Sequence, residues 1–148
     1  MIDRFETFSF AIAEISRCWH RIATDEMKKH GLKGPHAVFF TALYRHRDGL
    51  TAAELCTVCA KDKAEVSRAI TQLEERGLMV KEHVNQNRYR AKIKLTESGL
   101  MLAEQINTAA KRAVEYGGNG LTEEERKVFY KALSLISENL KKLDQIGL

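Results

Sequence analysis

The sequence is poor in residues that break helices and in residues that cross-link chains. It contains one proline and nine glycines among 148 residues, and this scarcity favours long helices over a turn-rich β fold. Three cysteines are too few, and odd in number, for a disulfide framework. We therefore expect a single, mainly helical domain in a reducing compartment, the cytoplasm.

Several motifs are also missing, and each absence argues against a class of protein. No apolar run approaches the roughly 20 residues of a membrane-spanning helix, and the first residues do not have the pattern of a signal peptide. The sequence has no phosphate-binding glycine loop, no G-x-S-x-G and no H-E-x-x-H motif. It therefore predicts neither membrane attachment, nor an enzyme, nor a bound cofactor.

Charge is concentrated in one part of the chain. The net charge is +4, and residues 61–94, with nine basic and five acidic side chains, carry all of it. A focused basic segment is typical of a surface that binds phosphates, although a solvated charged face would have the same composition.

The first helix has an unbroken apolar seam. Apolar residues recur at spacings of three and four, which predicts a long helix that packs against another helix of its own chain or of a partner chain. A nearly apolar second helix is predicted over 36–47. Two long helices follow residue 96, and the last begins at the capping box Thr122–Glu125. The seam consists of Phe5, Phe8, Ile12, Ile15, Trp19 and Ile22.

The middle of the chain predicts a helix-turn-helix. Thr51–Glu54 is a capping box that begins a short helix, and Asp62 begins a second helix that extends to about Arg76. Gly77 suits the left-handed position just after that helix. Two capped helices joined by a tight turn form this motif. The buried stripe of the first is predicted to be Ala52, Leu55, Cys56 and Cys59.

The second helix of this pair has an apolar side and a polar side. Val66, Ile70 and Leu73 mark the buried side. The other side carries residues that can all form hydrogen bonds. These are Lys63, Ser67, Arg68, Thr71 and Gln72.

A β-hairpin is predicted over 78–95. In its first strand, Leu78, Val80 and Val84 are expected on the buried side. In the return strand, apolar and basic residues alternate, so one side is apolar and the other is positive. The positive side consists of Arg88, Arg90, Lys92 and Lys94.

Cys56 and Cys59 form a C-x-x-C pair, a spacing found in metal and redox sites. A structural zinc usually needs four ligands, and the sequence has no second C-x-x-C and no H-x-x-x-H. Both thiols fall on the predicted buried stripe, where cysteine behaves as a small hydrophobe. We therefore predict no metal site, while redox sensing and metal binding by the pair stay open beside simple packing.

Four stretches follow one another in a recognisable order, namely Leu50–Leu55, Lys63–Arg68, Leu73–Leu78 and Leu95–Gly99. Their order and spacing resemble the MarR family of winged-helix transcription regulators over essentially the whole chain. The last two bracket the hairpin as the family's LEERGLV and LTEAG stretches do. The resemblance implies a mainly α fold with a small β-hairpin wing. A winged helix-turn-helix lobe would span 35–95, and a helical dimerisation region would span 1–34 and 96–148, within one domain.

The resemblance also implies a function. Members of that family are homodimers that bind a near-palindromic operator in double-stranded DNA, so we expect a sequence-specific regulator, a repressor released by a small anionic or aromatic ligand between the lobes. Asp62–Arg76 would be the recognition helix in the major groove. Arg68 is the first candidate for a base contact, because guanidinium pairs bidentately with guanine. Lys63, Ser67, Thr71 and Gln72 are candidates for base or phosphate contacts.

The hairpin would be the wing, with Asn87, Arg88 and Arg90 near the minor groove. The family's wing often has an acidic residue immediately before the arginine, and Asn87 stands at that position here. If the acid normally orients the arginine, Arg88 is held less firmly in this chain.

Two further points qualify the resemblance. The family's peroxide-sensing branch has a first-helix cysteine nearer the helix start than Cys18, and a tyrosine where this chain has Gly34, so Cys18 does not match that sensor residue by residue. The alternative function is a winged-helix module for protein contacts, without specific DNA binding. The polar, cationic side of the second helix argues against it, since protein interfaces usually have an apolar centre.

Overall fold

The computed structural model describes residues 3–83 and 91–147. These ranges form a mainly helical fold with a two-stranded antiparallel hairpin, which confirms the predicted fold class. None of the described helices is long and apolar enough to cross a membrane. The elements in chain order are α1 (Arg4–Lys28), a 3₁₀ helix (Gly34–His36), α2 (Ala37–Arg45), α3 (Ala52–Cys59), α4 (Lys63–Glu75), β1 (Met79–Glu82), β2 (Lys92–Leu95), α5 (Glu97–Gly117) and α6 (Glu123–Ile146).

The helix ends follow the local signals in the sequence. The side chain of Thr51 accepts a hydrogen bond from the Glu54 amide at 3.1 Å, and Thr122 does the same for Glu125 at 3.2 Å. Both capping boxes are complete, which confirms the predicted starts of α3 and α6. Gly77 has φ +70°, the left-handed conformation predicted after α4.

One core joins α2, α3, α4 and the hairpin with the last turn of α1 and the first half of α5. Met27 from α1 is completely buried, as is Ala103 from α5. A bridge between Leu50 and Ile93 ties the hairpin to the segment before α3, with backbone N···O distances of 3.1 and 2.7 Å. The largest fully buried side chains are Phe39, Phe40, Met27, Leu43, Leu55, Ile70, Leu73, Ile93 and Val66.

The side of the first strand that carries Leu78 and Val80 is not its buried side, which corrects the prediction; Val84 lies outside the described residues. Met79 is 3% exposed and Val80 is 40% exposed, so the buried side begins one residue later than expected. Met79 pairs with Leu95 in the antiparallel register, and directly opposed residues share a face of the sheet. Because Leu78, Met79 and Val80 are all apolar, the alternation alone could not decide which of them points inward.

The predicted stripe of α3 needs a smaller correction. Leu55 and Cys59 are buried and Cys56 is half-buried, but Ala52 is exposed. Ala52 is the first residue of the helix, where the α3 stripe has not yet reached the core.

The chain separates into two compact units, Met1–Lys111 and Arg112–Leu148. The second unit contains the end of α5 and all of α6, and no described residue of α6 is buried. Within it, Arg126 pairs with Glu115 at 2.6 Å and donates to the Gly118 carbonyl at 3.0 Å. The α5–α6 connection is thereby held by one arginine. The predicted division into a DNA-binding lobe and a dimerisation region stays a prediction.

Candidate nucleic-acid interface

Helix α4 has one buried face and one polar, exposed face. Val66, Ala69, Ile70 and Leu73 are at most 2% exposed and fix the orientation of the helix on the core. The opposite face presents all five predicted residues to solvent, because a 3.6-residue repeat separates them from the buried stripe. We call these five the reading surface: Lys63, Ser67, Arg68, Thr71 and Gln72.

The start of α4 is fixed by a tight turn. Ala60 adopts φ +53° and ψ +47°, a left-handed conformation that ends α3 and reverses the chain. The carboxylate of Asp62 then accepts a hydrogen bond from the Glu65 amide at 2.8 Å. This bond to the backbone lowers the pKa of Asp62, so the cap is ionised at neutral pH. The reading surface therefore begins directly after a well-ordered helix start.

Two of the cations that flank α4 are paired with carboxylates of that helix. Lys61 lies 3.7 Å from Glu65, and Lys81 lies 3.5 Å from Glu74. Lys63 and Arg68, by contrast, form no ion pair with any other described residue. Both cations of α4 itself, which belong to the reading surface, are therefore available for a phosphate or a base.

Two members of the reading surface also interact with each other. The Thr71 hydroxyl donates to the Ser67 carbonyl at 3.0 Å, one turn earlier. Its proton is therefore used within the helix, and its oxygen is left as an acceptor for a partner.

The predicted wing contacts fall on residues that the structure does not describe. Asn87, Arg88 and Arg90 lie outside the described ranges, so their roles stay predictions. At the described base of the hairpin, Lys94 pairs with Glu82 at 2.7 Å. The return-strand pattern missed this neutralisation, because the acidic partner comes from the other strand.

A cavity of about 420 Å³ lies within the first unit, between α1, α2, α5 and the α3–α4 turn. Its polar groups include Glu26, whose pKa is lowered chiefly by a hydrogen bond from the Lys29 ammonium. No local sequence pattern could indicate this cavity, because the residues that form it are far apart in the chain. It is lined by Trp19, His20, Ile22, Ala23, Glu26, Met27, Gly34, Pro35, Ala37, Val38, Thr41, Cys59, Lys61, Ile106, Asn107, Ala109 and Ala110.

The cysteine pair is divided between the core and the half-buried boundary. Cys59 is buried against the Val38 carbonyl, with an Sγ···O distance of 3.9 Å, and burial raises the pKa of its thiol to about 11. Such a thiol is almost entirely protonated at neutral pH and is a poor nucleophile. Within 3–83 and 91–147, no group of three or more His, Cys, Asp or Glu residues is arranged to hold a metal ion. These observations favour the packing interpretation of Cys59.

Cys18 is exposed on α1, and Gly34 packs closely against the same helix. A Cβ at Gly34 would lie 2.4 Å from the Thr24 hydroxyl oxygen and 3.0 Å from the Thr24 Cα. A tyrosine could not replace Gly34 unless α1 and the 3₁₀ helix moved apart.

Sequence reasoning missed the residues that anchor the far end of α4. Arg76 donates from Nη1 to the Gly31 carbonyl at 2.9 Å and from Nη2 to the His30 carbonyl at 3.0 Å. The Thr96 hydroxyl donates to the Gly77 carbonyl at 2.7 Å. These contacts join residues 19 to 46 positions apart, so no short motif could have indicated them.

Comparison with known proteins supports the same architecture. The model of the MarR family matches residues 30–88. A structure described as a MarR-family transcriptional regulator from Listeria monocytogenes, complexed with 26-mer DNA, is similar with a TM-score of 0.85 and 24% identity, over 99% of this chain and 97% of that one. A MarR transcriptional regulator from Methanosarcina mazei Go1 gives a TM-score of 0.84 and 22% identity, over 97% and 94% of the two chains.

A third similar structure is the Staphylococcus aureus MepR–DNA complex, with a TM-score of 0.79 and 22% identity over 90% of this chain and 98% of that one. No curated protein matches the sequence. At these identities the solved structures show the fold, while the family model matches the segment that contains α2, α3, α4 and β1. The family match over residues 30–88 and the fold of the whole chain together confirm the predicted resemblance to the MarR family of transcriptional regulators.

Proposed function

We propose that this protein is a homodimeric, sequence-specific DNA-binding repressor that recognises a near-palindromic operator through α4. The observation that carries the proposal is the reading surface, an exposed polar helix face with two cations that have no described carboxylate partner. The match of residues 30–88 to the MarR family model supports a DNA-binding regulator rather than an enzyme. Arg68 would contact a base edge in the major groove, and Lys63 would contact phosphate.

Exposed apolar faces support the homodimer. The α1 seam is exposed from Phe5 (71%) to Ile22 (41%), and on α6 Phe129 and Leu140 are also exposed. Monomeric proteins rarely expose such continuous apolar surface, which more often marks an interface. Two copies would place two α4 helices on successive half-sites, about one turn of DNA apart.

The cavity supports release by a small ligand. Its volume of about 420 Å³ is within the range of drug-sized sites, and most of its lining is apolar or aromatic. Lys61 and His20 would suit an anionic group, and Trp19 would suit an aromatic one. Cys59 ends α3 and Lys61 lies in the turn before α4. A ligand in the cavity would therefore contact residues that position the start of α4. DNA affinity would fall if both half-sites could no longer be engaged together.

The test begins with a site selected by the wild-type protein from genomic fragments, followed by anisotropy titrations at several salt concentrations. Specific DNA binding predicts a linear fall of log affinity with log salt. Arg68→Ala is expected to cost about 1–3 kcal/mol at the selected site and to relax base preference there. Arg45→Ala removes the same charge from the exposed end of α2 and is the matched control.

Each other outcome has a distinct meaning. An equal loss on selected and random DNA would reduce Arg68 to a phosphate contact. Failure to select any site, with monomeric protein and reduced thiols, would refute the proposal. It would favour the alternative of a winged-helix module for protein contacts.

A further inference from the structure

Arg76 is the last residue before the α4 chain reversal, and its side chain points back to the end of α1. The two hydrogen bonds to the His30 and Gly31 carbonyls are 3.0 and 2.9 Å long and use both terminal nitrogens of the guanidinium. Paired donation of this kind fixes direction as well as distance. Among hydrogen bonds between described residues, these are the ones that join the end of α1 to α4.

The acceptor side of this contact has a fixed backbone. Gly31 adopts φ +68°, and its amide donates to the Lys28 carbonyl at 3.0 Å. A Cβ at Gly31 would contact the Arg76 guanidinium at 3.7 Å, so the arginine lies directly over the glycine. The two carbonyls are thus presented by a turn that is itself part of the α1 ending.

The same ending of α1 is a wall of the cavity. Glu26 and Met27 line the cavity, and Glu26 lies 3.6 Å from the His30 ring nitrogen Nε2. Arg76 donates to the backbone carbonyl of the same His30, so the cavity wall and the Arg76 contact share the end of α1. At the other end of α4, the turn containing Cys59 and Lys61 lines the cavity too. Residues that line the cavity therefore lie next to both ends of α4. At the C-terminal end, the connection is made by one side chain, Arg76, which a substitution can remove.

We infer that Arg76 is a positioning residue that couples the occupancy of the cavity to the orientation of α4. The inference rests on the proposed function, because it treats α4 as the DNA-reading element. With Arg76 in place, a displacement of the last turn of α1 is transmitted to α4. Without it, α4 and the cavity respond independently.

The coupling can be measured without knowing the natural ligand, by filling the cavity from within. Ala110 lines the cavity on α5 and is half-buried, so Ala110→Phe places a ring in the space. The experiment compares wild type, Ala110→Phe, Arg76→Gln and the double variant, all full length, binding to the DNA site selected by the wild type. Melting curves confirm that each is folded, and Ala109→Leu replaces Ala110→Phe if the larger ring prevents folding.

The expected result is a non-additive cycle. Ala110→Phe is expected to lower affinity about tenfold in the Arg76 background and by no more than about threefold in the Arg76→Gln background. The matched control is Arg47→Gln, because the contacts of Arg47 with described residues, a hydrogen bond to the Tyr44 carbonyl and a position over the Tyr44 ring, reach only three residues back along the chain. When Arg47→Gln is combined with Ala110→Phe, the fold-losses of affinity in the two single variants should multiply in the double variant.

A second readout separates positioning from direct contact with DNA. If Arg76 bound a phosphate, Arg76→Gln would lower the slope of log affinity against log salt by about one. A positioning role predicts an unchanged slope.

Three results would overturn the inference. The affinity losses of Ala110→Phe and Arg76→Gln could simply multiply in the double variant, the slope of log affinity against log salt could fall in Arg76→Gln, or neither cavity-filling variant could change affinity. Each presupposes wild-type binding to the selected site. Absence of that binding is instead the failure of the proposed function.

Discussion

Gly99 is the position where adding one methyl group should disturb the fold most. It lies in the first turn of α5, and a Cβ there would lie 2.1 Å from the Leu78 carbonyl oxygen and 3.2 Å from the Leu95 Cδ2. Ordinary van der Waals contact is roughly 3.5 Å, so α5 and the α4–β1 connection would have to separate by more than about 1 Å. The carbonyl is backbone and accepts a hydrogen bond from the Thr96 amide at 3.1 Å, so it cannot rotate away freely.

The expected magnitude is a balance of two effects. Overpacking of a well-packed site costs about 1–3 kcal/mol, and a backbone contact places Gly99→Ala at the upper end. Replacing glycine by alanine within a helix also stabilises the helix by up to about 1 kcal/mol, which offsets part of this cost. We therefore expect Gly99→Ala to lower the free energy of unfolding by about 2 kcal/mol.

Urea unfolding followed by circular dichroism measures this change, at one fixed protein concentration because the proposed dimer would link stability to concentration. With a denaturant slope of about 2 kcal/mol/M, the midpoint should fall by about 1 M. Gly117→Ala is the matched control. It also lies in α5, its φ is not positive, and a Cβ there meets nothing within 4 Å, so its midpoint should stay unchanged or rise. Equal midpoints for the two variants would refute the steric reasoning.

Three further predictions concern the end of α3 and the turn that follows it. Because burial raises the pKa of Cys59 from 9.0 to about 11, iodoacetamide at pH 8 should label exposed Cys18 first and Cys59 last, as mapped by mass spectrometry; comparable rates would contradict the buried thiol. As pH rises, the Cys59 thiol loses its proton at a lower pH in the unfolded chain than in the folded chain. The stability that the neutral thiol contributes is therefore present below about pH 9 and is lost between pH 9 and about 11. Ala60→Gly removes a left-handed strain of about 1–2 kcal/mol at a cost of about 0.4–1 kcal/mol in unfolded-chain entropy. Its melting temperature should therefore rise, and a fall would show that the turn is not strained.

The features that the sequence predicted correctly are those set by neighbours in the chain. A capping box such as Thr51–Glu54 is complete within four residues, and Gly77 marks a helix end by its own conformational freedom. The exposed face of α4 follows from its period of 3.6 residues. Arg68 could thus be placed on the reading surface before any tertiary contact was known.

The features that the sequence could not predict depend on how distant segments meet. The inward orientation of Met79 is decided by its pairing with Leu95, across a connection whose length does not reveal the register. The close approach at Gly99 and the cavity beside Trp19 are likewise products of packing. A glycine in a helix start and a tryptophan in an apolar seam have simpler interpretations when only the sequence is available.

Arg68 and Arg76 show why the two kinds of information must be combined. Both are exposed arginines on or at the end of the same helix, and charge alone makes them equal candidates for DNA contact. The structure distinguishes them by their partners, since Arg68 forms no ion pair with a described residue while Arg76 spends both terminal nitrogens on carbonyls 45 and 46 residues away. A reading helix needs both kinds of arginine, because a base contact is selective only when the helix that carries it is held in one orientation. Sequence specificity should therefore be lost in two different ways: by removing the contact at Arg68, or by releasing the helix at Arg76.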